Sequence, residues 1–160
     1  MEIVKVGMAD LKITSAPNRL RTTGLGSCVG ITLYDPQKHL AGMAHVMLPS
    51  SDLSRGPINV AKFADTAIPE LLRRLEGEGA SRTRIVAKMA GGAQMFAFSA
   101  QSDVMRIGPR NVEACKAVLT QYKIPLVSED TGGNVGRTVE IDSLTGILYV
   151  RTINQEEKGI

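Results

Sequence analysis

Hydrophobic and polar positions along the chain alternate with two different periods. Short apolar stretches at Ile3–Val6, Leu11–Ser15 and Leu20–Thr23 predict strands, so the opening is rich in β structure. Val29, Ile31 and Leu33 then recur at every second position, which predicts a strand with one buried face and sends Cys28 to the opposite face. Asp35-Pro36-Gln37-Lys38 has the composition of a type I turn, and the apolar run His39–Leu48 after it completes a hairpin. A turn centred between Pro36 and Gln37 places Leu33 opposite Leu40, Val29 opposite Ala44 and Cys28 opposite His45. Between Ile58 and Glu76 the spacing becomes helical. Ala61, Ala64, Ile68, Leu71, Leu72 and Leu75 share one face, Lys62, Asp65, Glu70, Arg73 and Arg74 the other, and Pro69 predicts a kink or break. Arg84–Met89 reads as a buried strand entering Gly91-Gly92. A second helix opens at Gly108-Pro109, with Val112, Cys115, Val118, Leu119 and Tyr122 as its buried stripe. Strands at Ile124–Ser128, Val135–Ile141 and Gly146–Thr152 close the chain, and the polar tail Gln155–Ile160 is expected to fray.

Composition narrows the class. At 160 residues the chain fits one domain, 1–160, able to bury a core without metal or disulfide. Its two cysteines, Cys28 and Cys115, lie in dissimilar settings and suggest a reducing compartment. No apolar run approaches the ~18 residues of a membrane span, and Glu2 with a short Ile-Val pair stands where a signal segment would be basic and hydrophobic; cytoplasmic residence is the expectation. A net charge of +3, with aromatics at 4% and no basic run, argues against nucleic acid. No cofactor or metal is expected.

Candidate chemistry gathers at Thr22-Thr23-Gly24-Leu25-Gly26-Ser27-Cys28-Val29-Gly30. Glycines at 24 and 26 permit positive φ angles and close backbone approach, so the amides around Gly26, Ser27 and Cys28 can converge on an oxyanion. The hairpin brings the Cys28 thiol to the His45 imidazole, and a nearby imidazolium lowers a thiol pKa from about 8.5 into a reactive range. Cys115 is expected in the core, and His39 in solvent. Ser50, Ser51 and Ser54 lie on a polar loop without a Gly-x-Ser-x-Gly elbow. Gly91-Gly92 lacks the Gly-Lys-Ser/Thr ending of a phosphate loop, and Gly132-Gly133 with Gly136 lacks the dinucleotide spacing. Met95, Phe96 and Phe98 either cap the core or offer an adaptable edge to a helical partner.

The same residues carry a family resemblance. Thr22–Gly30 with Gly42–Pro49 resembles the signature of the CheD chemoreceptor glutamine deamidases, and similar blocks follow at Lys88–Phe96, Ile107–Val112, and Asp130–Asn134 with Gly136-Arg137. The resemblance implies a hydrolase that converts receptor glutamines to glutamates through a Cys28 thioester, with His45 as base and Thr22 orienting it; some members also hydrolyse methyl glutamates. It implies an α+β fold of layered β-sheets with helices on one side, like the catalytic domain of cytotoxic necrotizing factor toxins. The partners it implies are methyl-accepting chemoreceptors and, in some bacteria, a CheC phosphatase. Two other classes share parts of this pattern: a cysteine peptidase using the same Cys/His pair, and a non-catalytic adaptor.

Overall fold

Val29–Asp35 is buried on both faces, because two layers close on it. In the computed structural model, which describes residues 1–94, 106–153 and 155–160, the described elements run β1 (Ile3–Lys5), β2 (Leu11–Ser15), β3 (Arg19–Leu25), β4 (Val29–Asp35), β5 (Leu40–Val46), α1 (Ala64–Gly77), β6 (Val86–Gly91), α2 (Ile107–Gln121), β7 (Leu126–Thr131), β8 (Arg137–Asp142), β9 (Leu148–Arg151) and β10 (Lys158–Gly159). They form two five-stranded sheets, ordered β1-β3-β8-β9-β10 and β2-β5-β4-β6-β7. Both helices pack on the second sheet.

Two cores separate the three layers. Val29, Ile31, Leu33, Ala44 and Val46 meet Ile68, Leu71, Leu72 and Leu75 of α1 and Cys115 and Leu119 of α2. On the other side, Cys28, Tyr34, Ala41, Met43 and Ala90 meet Leu20, Leu25, Val139, Ile141, Leu148 and Val150 of the first sheet. The architecture is α+β and layered, with helices on one side, because one sheet must bury apolar residues of both parities while the other is covered on a single face.

The hairpin register differs from the expectation. Val29 pairs with Val46, Gly30 with His45, and Leu33 with Gly42. The four-residue loop 36–39 is longer than a tight turn because the Asp35 carboxylate accepts from the amides of Gln37 (2.9 Å) and Lys38 (3.2 Å), while His39 takes a positive φ of 51°. Adding two residues on the C-terminal side of the loop moves the opposition by two positions, which preserves which face each residue occupies. Asp35 also accepts from Arg84 (2.9 Å) and the Ser81 amide (3.0 Å), tying the turn to the chain beyond α1.

Other expectations are corrected as well. The first helix starts at Ala64, not Ile58, because Asn59 holds residues 59–62 in a turn (Ala61 N to Asn59 Oδ1 3.0 Å) and Leu48 bridges Phe63. Pro69 then falls in the second turn of one helix that runs on to Gly77. The tail does not fray: β10 pairs with β9, and Ile160 exchanges backbone bonds with Leu148. His39 is half-buried, not solvent-facing, and its Nδ1 lies 3.1 Å from the Tyr34 hydroxyl. Met95, Phe96 and Phe98 lie outside the described residues.

Candidate active site

The glycine-punctuated stretch 22–30 is the crossing from one sheet to the other. It begins on β3, passes a register shift between Thr22 and Leu25 against β8, and enters β4 at Val29. A bulge of this kind bends a strand and re-aims the residues beyond it. Thr22 therefore belongs to one sheet and His45 to the other, with Cys28 in the bend that leads into β4. Gly24 uses its freedom, with φ 71°, whereas Gly26 does not need a positive φ.

His45 sits on β5 with Ala41 and Met43, facing the first sheet, and is 0% exposed. Its cross-strand neighbour is Gly30. A Cβ at Gly30 would lie 3.1 Å from Leu25 Cδ1 and 3.2 Å from Val139 Cγ2, so a side chain there would crowd the space beside the ring. Across that space, His45 Nδ1 lies 2.7 Å from Thr22 Oγ1. Thr22 Oγ1 also lies 2.7 Å from the Val6 carbonyl oxygen. A carbonyl can only accept, and the hydroxyl has one proton, so that proton goes to Val6 and Nδ1–H donates to Thr22. The tautomer is thereby set, and Nε2 carries the lone pair. Nε2 is buried and has no hydrogen-bond partner among the described residues.

Cys28 lies in the bend just before β4 and joins the inter-sheet cluster, the layer that His45 faces; it is not directly opposed to His45, whose cross-strand partner is Gly30. It retains 8% of its surface, whereas Cys115 has none. Burial pushes the Cys28 thiol above its ordinary range and the His45 imidazole below its own. Burial thus disfavours the charged form of each group. Burial drives Cys115 further, to about 12, which makes it a core thiol without nucleophilic character.

The loop before Cys28 is held by its carbonyls. Gly26 O accepts from Ala93 N (2.8 Å) and Cys28 O from Gly92 N (2.9 Å), while Ser27 O accepts from Asn111 Nδ2 of α2 (3.0 Å). The segment Gly91–Ala93 can lie this close because Gly91 has no Cβ to strike the Cys28 carbonyl, and Gly108 none to strike that of Ala93. Among the described residues, the amides of Ser27 and Cys28 donate to no protein acceptor, whereas that of Gly26, also expected at the oxyanion, donates to Gly24 O at 3.1 Å. Thr23, by contrast, is exposed.

Pattern reading had no route to Val6, which contributes a backbone carbonyl, or to the contacts of Asn111, which come from a helix far along the chain. A groove of about 490 Å³ opens beside Gly24, lined by Gly136, Arg137, Thr138, Arg151, Thr152 and Ile153. Among the described residues no three His, Cys, Asp or Glu side chains are placed to hold a metal ion, and no helix is long and apolar enough to cross a membrane.

Comparison with known proteins gives the family. The family described as CheD chemotactic sensory transduction matches residues 47–152. A chemoreceptor glutamine deamidase CheD of Halalkalibacterium halodurans is 54% identical over 160 residues, covering 99% of both chains. That of Bacillus subtilis is 49% identical over 99% of this chain and 96% of its own, and a probable one of Lachnoclostridium phytofermentans is 52% identical over 99% of both. Since these similarities run the length of the chain and include the stretch that bears the thiol and the imidazole, the chain belongs to the CheD family.

Proposed function

We propose that this protein is a chemoreceptor glutamine deamidase of bacterial chemotaxis, with Cys28 as nucleophile, His45 as general base and acid, and Thr22 as the residue that orients His45. The observation that carries the assignment is the chain Val6 carbonyl, Thr22 hydroxyl, His45 Nδ1–H, which leaves Nε2 unprotonated on the face shared with Cys28. Relatives named for this activity cover nearly the whole chain.

The reaction starts from neutral partners. As Sγ bonds to the carboxamide carbon of a receptor glutamine, the thiol proton passes to Nε2 and the carbonyl π electrons move to oxygen. The amides of Ser27 and Cys28, in the loop that begins at Gly26, stabilise that oxyanion. Imidazolium then protonates the nitrogen, the C–N bond breaks, and ammonia leaves a thioester. Water adds with Nε2 as base, and collapse releases the glutamate carboxyl and restores the thiol. The balance is carboxamide plus water to carboxylic acid plus ammonia, with no external oxidant or reductant. Thr22 holds the ring through both proton transfers, and its bond to Nδ1–H supports the imidazolium as it forms.

The chain works as one domain over 1–160, in the cytoplasm, on the cytoplasmic helices of methyl-accepting receptors. Its layers correspond to the catalytic domain of cytotoxic necrotizing factor toxins, and a CheC phosphatase is its second partner where one is present; both statements rest on family resemblance. The deciding experiment is intact-mass spectrometry of receptor cytoplasmic fragments incubated with the protein. Deamidation raises the mass by about 1 Da per glutamine without fragments, because NH₂ is exchanged for OH in an unbroken chain. Cleavage products would identify a peptidase, and unchanged mass would identify an adaptor.

A further inference from the structure

Three consecutive carbonyls, those of Gly26, Ser27 and Cys28, are each held by a donor from elsewhere in the chain. In a planar trans peptide the carbonyl and the following N–H point in opposite directions, so fixing one aims the other. Holding Gly26 O aims Ser27 N–H, and holding Ser27 O aims Cys28 N–H. Two of the three donors are backbone amides. The third is a side chain, Asn111, which is 0% exposed and is contributed by α2 from the far side of the second sheet.

Asn111 does more than touch the loop. Its Nδ2 donates both to Ser27 O and to Met47 O, each at 3.0 Å. Met47 follows β5 two positions after His45, so one amide group joins the chain on the cysteine side to the chain on the histidine side. Its Oδ1 is buried and has no partner among the described residues. Nδ2 thus satisfies two carbonyls that an apolar residue of the same shape would leave without a donor, at the cost of one unpaired oxygen on the side of the amide that faces away from them.

We propose that Asn111 is a positioning residue for deamidation: by holding the Ser27 carbonyl against the end of β5, it aims the Cys28 N–H at the oxyanion. This rests on the assignment of Cys28 as nucleophile. The residue touches neither substrate nor the reacting atoms; it acts through the Ser27–Cys28 peptide. Its effect belongs to the transition state, where charge develops on oxygen, and not to the thiol itself.

That separation defines the test. Asn111→Leu and Asn111→Asp both remove the donor, one with an apolar group of similar size and one with an acceptor. Turnover of receptor cytoplasmic fragments, measured below each variant's unfolding midpoint, should fall about 10- to 100-fold in kcat with KM little changed, short of the ~10²–10³ for deleting an oxyanion donor outright. Alkylation of Cys28 by iodoacetamide, a displacement that builds no oxyanion, should proceed within about twofold of the unsubstituted rate. Unchanged kcat in both variants overturns the inference, as does a parallel fall in alkylation, which would mean the thiol environment had collapsed. Failure of both variants to fold at any temperature also overturns it, because Asn111 would then hold the fold and not the loop. Cys28→Ala separates the levels: if it retains turnover, the nucleophile assignment fails; if it is inactive while Asn111 variants are normal, only the positioning role fails.

Discussion

The two faces of β4 do different work with alternate residues of one strand. Toward the helices, Val29, Ile31 and Leu33 join an apolar layer with α1 and α2. Toward the other sheet, Gly30, Thr32 and Tyr34 lie in a layer that admits His45, Thr22 and the Cys28 thiol. The polar groups of this layer are matched to its chemistry: Thr32 Oγ1 donates to Lys88 O at 2.9 Å, Thr22 donates to Val6, and Nε2 is left open for a proton. The helix face can be chosen for packing alone, whereas the inter-sheet face must satisfy hydrogen bonds and leave space at Gly30. A period of two lets one strand do both without compromise.

This contrast can be broken from either side. The largest expected effect is from Cys28→Ala, which should reduce deamidation to background with the thermal midpoint little changed, read by intact mass and by circular dichroism. His45→Ala should come next, with kcat down about 10²–10⁴ through loss of proton transfer. Leu33→Ala, on the opposite face, should do the reverse: stability falls by about 2–5 kcal/mol in urea unfolding while turnover below the midpoint is retained. Thr22→Ala should cost less activity than His45→Ala, about 10-fold, because the base remains but its tautomer and orientation are no longer set; Thr23→Ala is the matched control and should be silent. If Thr22→Ala equals the unsubstituted protein, the site reduces to a Cys/His pair.

Titration sharpens the same comparison. With the thiol raised and the imidazole lowered by burial, iodoacetamide alkylation of Cys28 should keep rising above the ordinary thiol range; a rate already level from about pH 6 upward would show a preformed ion pair instead. Outside the site, burial opposes ionisation of Asp35, but Arg84 and the amides of Ser81, Lys38 and Gln37 outweigh it and bring the carboxyl to about 2. A lowered carboxyl contributes stability above its ordinary pKa and loses it as pH falls through the folded value. Asp35 should therefore contribute about 2 kcal/mol to the stability lost between roughly pH 4 and 2, so that the loss in denaturant unfolding is smaller by about that amount in Asp35→Asn.

Much of this protein is legible without coordinates because side-chain parity is a local property. The pattern around Val29, Ile31 and Leu33, and around Ala44 and Val46, assigns Cys28 and His45 to the face away from those residues, and that assignment survives an error in the turn. The resemblance blocks are local in the same sense and gave the family. The register itself was not legible, since Asp35 takes two loop amides and His39 adopts a left-handed conformation, and neither is visible as hydrophobic pattern. That β4 is buried on both faces was also hidden, for Gly30 and Thr32 read as polar or neutral until a second sheet covers them.

What the sequence determined by itself is the order of elements, the apolar faces and the residue types that meet at 22–30 and 45. What only the tertiary structure decided is how the groups of the site meet: the Val6 carbonyl that commits the Thr22 proton, the burial that disfavours charge on the thiol and the imidazole, and the Asn111 amide that spans Ser27 and Met47. These depend on groups separated along the chain by between 16 and 84 residues. Local preferences cannot specify such meetings, because proton direction and desolvation are set by every atom packed around a group and not by its neighbours in sequence.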